Sequence, residues 1–433
     1  MKTRISERHM LMGLVIVFSV LLVLRSVSNV FVYPLILVGA AVSALLPLST
    51  CLPMLCFLLP FANIIKISPG QISLFTVFFA IYVVRIIFKT GRLNRMFLLT
   101  AFIFAGYCLA VSGVDRVVTI VTMVCGFAML REVTESDEYD YQHILYAFCF
   151  GIIVSSAIGA FRDYLPIIKT FSLDTAYKVG HEEYAQRFVG LNVNPNYYTM
   201  DISVAMSCLV TTMCTRNMKP IYMVLFGVLA IFGLMSVSKS FLIVFAIMVV
   251  ILLLNSLRQG ATTFMKLLLA LIAAGILILT FARESVETYI IRLNADSNAE
   301  SLSAVTTGRG EIWIGYIKTM LKDFKTLFFG AGLGERLEKG SHNTYIEMIY
   351  HIGLIGSALY FFVLKSSVAI KKFPRNILYY VPFFVILVRF IGISMFTQDS
   401  LWYYITIICL LAKEGSTTEK QKRSSMALKY DTV

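Results

Sequence analysis

The chain has 433 residues, of which 58% are hydrophobic and only 15% charged, with a formal net charge of +13. A soluble protein of this make-up would have too little polar surface to cover its core. The apolar residues run on continuously and do not alternate, which also excludes an outer-membrane barrel.

Apolar runs of about 16–20 residues recur from one end to the other, the length that crosses a hydrocarbon core of ~30 Å. In chain order they lie at roughly 10–24, 29–48, 50–65, 71–88, 96–112, 116–130, 143–161, 196–214, 220–236, 239–257, 266–282, 344–364, 377–396 and 400–412. The predicted fold is all-α, a polytopic integral membrane protein of about 12–14 transmembrane helices with a large, partly helical outer loop. Residues 1–413 form one transmembrane domain, and 414–433 form a polar, mobile cytoplasmic tail. The first run lacks a small-residue cleavage site and is read as a retained helix.

The basic residues set topology. Lys89, Arg92, Arg95, Arg131, Arg216, Lys219, Arg258, Lys266, Lys365, Lys371, Lys372 and Arg375 fall in alternate short loops, and the tail adds more. With the N-terminus inside, those loops are cytoplasmic and both termini lie there. No basic stripe interleaved with aromatic residues occurs in a soluble-looking segment, so nucleic acid is not an expected partner. The same frame puts both long polar loops, Arg162–Pro195 and Arg283–Asn343, on the outer face. Within the second, Ile312, Trp313, Tyr316, Ile317 and Met320 form an apolar stripe that predicts a helix over Glu311–Phe324, lying on the membrane or on the bundle. Gly330-Ala-Gly-Leu-Gly334 follows, without the Gly-Lys-Ser/Thr of a nucleotide loop, and reads as a flexible turn.

The eight cysteines all lie in or beside apolar runs with no CxxC pair, and read as small packing residues. His342, one of five histidines, lies in Gly340-Ser-His-Asn-Thr-Tyr345 at the outer mouth of the 344–364 span. It is either a general base near neutral pH or a residue that ties the loop to the helix. Arg187, Arg283, Arg292 and Arg309 are on the same side, where guanidinium forks suit a diphosphate but equally suit neighbouring glutamates. Asn192, Asn194 and Asn196 flank Pro195, as a helix cap or a sugar contact. Lys239 and Arg389 are cations at or within membrane depth, where charge faces a cavity or a partner. Asp201 and Arg85 also interrupt apolar runs. No Asp-x-Asp, HExxH or GxSxG is present, so the expected chemistry is metal-independent, with no cofactor.

Three stretches resemble the O-antigen polymerase/ligase superfamily of bacterial envelope glycosyltransferases. They are Arg187-Phe-Val-Gly-Leu-Asn-Val-Asn-Pro-Asn196, the serine turn Ser236-Val-Ser-Lys-Ser240, and the run from Gly308-Arg309 through Trp313 and Gly330–Gly334 to His342-Asn343 and Gly353-Leu-Ile-Gly356. The resemblance covers roughly residues 140–412. Lys239 stands where the family usually has arginine, Thr326 where it often has proline, and His351 where it often has glutamate. The resemblance implies a GT-C-like fold and an undecaprenyl-diphosphate-linked glycan donor. Arg187 and Arg309 would then hold the diphosphate as it leaves, and His342 would take the proton of the attacking sugar hydroxyl. Asn194, Asn196, Lys239, Arg283, Arg292, Asn343 and Arg389 complete the expected substrate contacts.

The expected activity is polymerisation of lipid-linked oligosaccharide repeat units into O-antigen, capsular or exopolysaccharide at the outer face of the bacterial cytoplasmic membrane. Its partners would be the lipid-linked donor and acceptor, membrane lipid and a chain-length regulator. A ligase delivering finished glycan to another acceptor needs the same donor site. A lipid-linked sugar flippase would instead carry its cations in a central cavity and have short loops on both faces.

Overall fold

The computed structural model describes residues 2–89, 95–171, 176–179, 183–216, 218–281, 283–297, 309–335, 337, 339–371 and 373–430. Side chains are described within these except at 2–6, 176–179, 183–186, 278, 281, 292–297 and 420–430.

Each apolar run becomes a helix. In chain order these are α1 (Lys2–Val27), α2 (Val32–Leu45), α3 (Leu48–Leu58), α4 (Leu74–Lys89), α5 (Arg95–Ser112), α6 (Val117–Glu135) and α7 (Tyr141–Ala160). A short α8 (Pro166–Phe171) and a small antiparallel ladder, Ala176–Val179 against Glu183–Gln186, occupy the first long loop. Then come α9 (Pro195–Thr215), α10 (Pro220–Met235), α11 (Lys239–Gln259) and α12 (Ala261–Phe281). The second long loop holds α13 (Arg283–Ser297), α14 (Arg309–Lys322) and α15 (Phe324–Phe329). The chain closes with α16 (Thr344–Ser367), α17 (Val381–Phe390) and α18 (Asp399–Tyr430). Helix α18 runs on through the segment expected to be a mobile tail, where Glu414 pairs with Arg216.

Six helices are long and apolar enough to cross a membrane by length and composition, with six shorter apolar helices among the described residues. Phe102 is 78% exposed and Leu37 72% exposed on the outside of the bundle. Many further large apolar side chains are exposed along α1, α4, α5, α11 and α12, an apolar surface of the extent that faces hydrocarbon. The chain is thus a helical polytopic membrane protein.

The contacts sort the connections onto two ends. At one end Arg25 donates to the Lys66 carbonyl, Asn63 to those of Phe171 and Leu191, and the Leu333 amide to Ser112. At the other, Arg131 donates to the Ser366 carbonyl, Lys413 to that of Ser136, and Arg85 to those of Ser43 and Leu46. Both long polar loops are at the first end.

Helix α9 is the axis of the bundle, buried along almost its whole length and packed against α7, α10, α11 and α17. Most of its serine and threonine hydroxyls are absorbed by its own backbone. Thr199 donates to the Pro195 carbonyl, Ser203 to that of Thr199 and Thr212 to that of Cys208. Polar residues therefore sit in a dry interior at little cost.

Helix α16 carries a break that fixes the polar end. Gly353 has φ 65° and ψ −179° inside it, so the turn before it loses its intrahelical acceptance. The carbonyls of Tyr350 and His351 accept instead from the amides of Ala331 and Gly332, at 2.7 and 3.0 Å. Tyr107 donates its hydroxyl to the carbonyls of Ile352 and Phe329, both at 2.9 Å. The glycine-rich segment is therefore not a free turn; it is bonded into the break of α16. A Cβ on Gly353 would lie 2.3 Å from the Phe328 carbonyl oxygen, and one on Gly330 (φ 90°) 2.3 Å from that of His351. Gly353→Ala and Gly330→Ala should each cost about 1–3 kcal/mol or more. Thermal unfolding in detergent checks this, with Gly227→Ala, whose Cβ meets nothing within 4 Å, expected to stay within a degree or so of wild type.

Candidate functional site

The serine turn between α10 and α11 is where the polar side chains converge. Arg187 donates through Nε to the Ser236 carbonyl at 2.8 Å. Ser238 donates to the Asn196 side-chain oxygen at 3.1 Å, and the Ser238 carbonyl accepts from Tyr289 of α13. Ser240 accepts from Arg389 Nη1 at 2.6 Å. Val237, at the tip, has φ 49°, a conformation costly for a β-branched side chain. Lys239, half-buried, opens α11 beside it.

Arg389 is the deepest charge of the group, 1% exposed. Its Nη2 donates to the Asn196 carbonyl at 2.7 Å and to Thr199 Oγ1 at 2.6 Å, and its Nε has no hydrogen-bond partner. All its bonds are thus to neutral oxygens, and it forms no ion pair among the described residues. Two residues beyond Thr199 in α9, Asp201 is buried as well, but it accepts from Tyr404 and from Asn192. Arg309, opening α14, donates to the Gly392 carbonyl at 3.1 Å, three residues beyond Arg389, close enough for the two guanidinium charges to repel. Arg389 is thus a buried cation with no counter-ion among the described residues, which is costly.

Four residues on from Arg309, the Trp313 indole donates to the Ser341 carbonyl at 2.8 Å. The first turn of α14 therefore ties the Gly392 loop to the loop of His342. The helix begins two residues earlier than the stripe indicated and ends at Lys322, where Asp323 caps α15. A hydrogen bond from the Thr326 hydroxyl holds the Asp323 carboxyl below its usual range. Tyr316 and Met320 pack on Tyr350 of α16, whereas Ile317, expected on the same face, is exposed with Ile314 and Leu321. The helix lies on the bundle by one face only.

His342 is exposed and left-handed, with φ 51°. It lines a polar cavity of about 260 Å³ with Arg116, Glu347, His351, Tyr197 and Gln398. His351 is held there by Nδ1 against the Gly332 carbonyl at 2.9 Å and by stacking on Phe396. Tyr197 donates to the Ser394 carbonyl and Arg309 to that of Gly392, so the 391–398 loop lies between this cavity and the arginine centre.

Phe396 also borders a second, almost wholly apolar groove of about 420 Å³ between α16, α17 and α18. The groove runs from Thr344 and Phe390, beside the arginine centre, to Val368 and Ala412 at the far end of the bundle.

The residues expected to bind substrate thus divide. Arg187, Asn196, Lys239, Arg309 and Arg389 gather at the serine turn, and His342 stands on the other side of the Gly392 loop. Arg283 does not join them. It is 79% exposed and pairs with Glu287 on its own helix, because the first turn of α13 points away from the centre. The Arg292 side chain lies outside the described residues. Asn194 and Asn343 are helix caps: Asn194 Oδ1 accepts from the Asn196 amide, and Asn343 Oδ1 from those of Tyr345 and Ile346. Tyr289, Arg116, Glu347 and Gln398 were missed. Only Tyr289 had any sequence signal, as an aromatic in the second long loop.

Comparison with protein-family models, with curated proteins and with solved structures finds no match in any of the three. The functional reading therefore rests on the geometry of the site.

The capping role gives a direct expectation. Asn343→Ser keeps the acceptor and should leave stability and activity near wild type, whereas Asn343→Ala should cost about 1 kcal/mol. Thermal unfolding of both variants, with activity measured alongside, decides between capping and substrate contact.

Proposed function

We propose that the protein is a membrane glycosyltransferase that uses a lipid-diphosphate-linked glycan as donor and joins oligosaccharide repeat units into a polysaccharide. The observation that carries this reading is Arg389, buried, bonded only to neutral oxygens, with Arg309 held beside it on the Gly392 carbonyl. A buried guanidinium without a counter-ion suits a ligand of concentrated negative charge, and a diphosphate presents pairs of oxygens that match its fork. The apolar groove leading away from the same loop suits the hydrocarbon chain of such a donor. A soluble nucleotide sugar would leave that groove without a use.

In the proposed reaction, acceptor and donor meet at the edge of the Gly392 loop. A hydroxyl of the acceptor sugar attacks the anomeric carbon of the donor while the bond from that carbon to the diphosphate oxygen breaks. His342 takes the hydroxyl proton. Arg309 and Arg389 meet the charge that develops on the departing diphosphate, and Arg187 braces the serine turn that holds Arg389. Transfer of the growing chain onto the next lipid-linked unit makes the protein a polymerase of O-antigen, capsular or exopolysaccharide type, in keeping with the resemblance of its motifs. The end of the bundle opposite the site carries Arg131, Arg216, Lys219, Arg258, Lys365, Lys371, Arg375 and Lys413. By the positive-inside rule that end is cytoplasmic and the site is at the outer face.

Removing the base or one fork separates the roles. In cells lacking the native gene, His342→Ala and Arg309→Lys should each lower polymer formation by about 10²-fold or more at unchanged protein level. Gel electrophoresis of surface glycan should show single-repeat product. Polymer accumulating on the lipid carrier would identify a ligase instead, and unchanged long polymer in both variants would refute a transferase at this site.

A further inference from the structure

The cavity beside His342 contains two charged groups that the transfer chemistry does not use. Arg116 ends the short 3₁₀ turn Val114–Arg116 between α5 and α6, nearly two hundred residues upstream of any residue in the proposed mechanism except Arg187. Its guanidinium lies flat over the glycine-rich segment: a Cβ on Gly334 would be 2.2 Å from its Cζ. Gly334 has φ 90°, so the backbone turns away there and leaves the space the guanidinium fills. Glu347 comes from the first turn of α16, half-buried. Neither side chain has a hydrogen bond or ion pair among the described residues. They share one cavity without lying within 4.0 Å of each other. Opposite charges in a common cavity ordinarily collapse onto each other. Here exposed Arg116 lies against Gly334 and half-buried Glu347 stands on the first turn of α16, and the two face the same open space unpaired with each other.

We propose that this cavity is the acceptor-sugar subsite, in which Glu347 accepts hydrogen bonds from ring hydroxyls and Arg116 donates to ring or hydroxyl oxygens of the same sugar. This rests on the glycosyltransferase reading above. A polyol is the ligand class that uses both groups, since each hydroxyl donates once and accepts as well. A simple anion would satisfy Arg116 and be repelled by Glu347, and a cation would do the reverse. The volume of about 260 Å³ is just under the ~300–1,000 Å³ of sites for larger small molecules. It admits one sugar ring and not an extended chain. His351 donates through Nδ1 to the Gly332 carbonyl, which fixes its ring in the polar wall. His342, at the rim, then stands over the hydroxyl that faces the Gly392 loop and the donor beyond it. Arg116 and Glu347 set which sugar is accepted; they do not touch the bond that breaks.

The test uses the full chain in nanodiscs and two size-conserving variants, Glu347→Gln and Arg116→Lys. With lipid-linked repeat units as substrate, each variant should raise the acceptor KM about ten- to hundredfold, the loss of one charge-assisted hydrogen bond, with kcat changed no more than about threefold. His342→Ala should do the opposite, lowering kcat at nearly constant KM. A direct binding measurement separates the subsite from the reaction: saturation-transfer NMR with free glucose, galactose, N-acetylglucosamine and glucuronic acid. At least one of these sugars should receive saturation from the wild type and lose it in Glu347→Gln. If it does while no polymer forms in any assay, the subsite stands and the polymerase reading fails. If polymer forms but both variants keep wild-type acceptor KM and sugar saturation, the subsite is wrong and the polymerase reading stands. A preference for glucuronic acid that survives Glu347→Gln and is lost in Arg116→Lys would also overturn it, leaving an anion site.

Discussion

A guanidinium group buried in a membrane protein has to be met by something, and Arg389 is met only halfway. Ser240, Asn196 and Thr199 supply neutral oxygens from two helices and a turn. That set fixes the side chain in one geometry without cancelling its charge. The surrounding structure is arranged to hold this state. Helix α9 brings Asn196 and Thr199 together because its own hydroxyls bond inward and leave it free to be buried on all sides. The serine turn then closes over the arginine from α10 and α11, with Arg187 and Tyr289 pinning its carbonyls. Asp201, the obvious neutraliser, is engaged by Tyr404 and Asn192 and makes no ion pair with Arg389.

The second support is the break in α16. Gly353 frees carbonyls that would otherwise stay inside the helix, and the glycine-rich segment takes them up. This one exchange of hydrogen bonds anchors the end of the second long loop, and through it the positions of His342, His351 and Arg116. A loop of about sixty residues on a membrane surface would otherwise have a wide choice of positions. The tether also explains how α14 stays docked although only Tyr316 and Met320 of its apolar residues are deeply buried.

Much of the architecture was legible in the residues. Continuous apolar runs of bilayer length admit little besides transmembrane helices, and every run is helical. The run at 377–396 was read too long because hydropathy continues past Phe390, whereas the backbone leaves the helix there and Gly392 offers its carbonyl to Arg309. The cations near membrane depth were also legible, since a charge in an apolar run is conspicuous, and Arg389 is the centre of the cluster. What could not be read was which loop residues meet. Arg283 and Arg309 looked alike as outer-loop arginines. One sits on the open side of α13 with Glu287, and the other is turned inward by the register of α14. Arg116 lies in a short turn far upstream in the chain, and only the packing of Gly334 against it brings it to the cavity of His342. The asparagines were ambiguous because cap and ligand use the same oxygen; at Asn194 and Asn343 the backbone has taken it.

The measurement that bears most directly on the electropositive centre is ligand-induced stabilisation of the purified protein in nanodiscs. Undecaprenyl diphosphate would be compared with undecaprenyl monophosphate and with phosphatidylglycerol. A saturable rise in melting temperature with the diphosphate, several-fold smaller with the monophosphate and abolished by Arg389→Met, is the expected result. Equal shifts from all three lipids, or a diphosphate response that survives Arg389→Met, would mean that the buried arginine serves the fold alone.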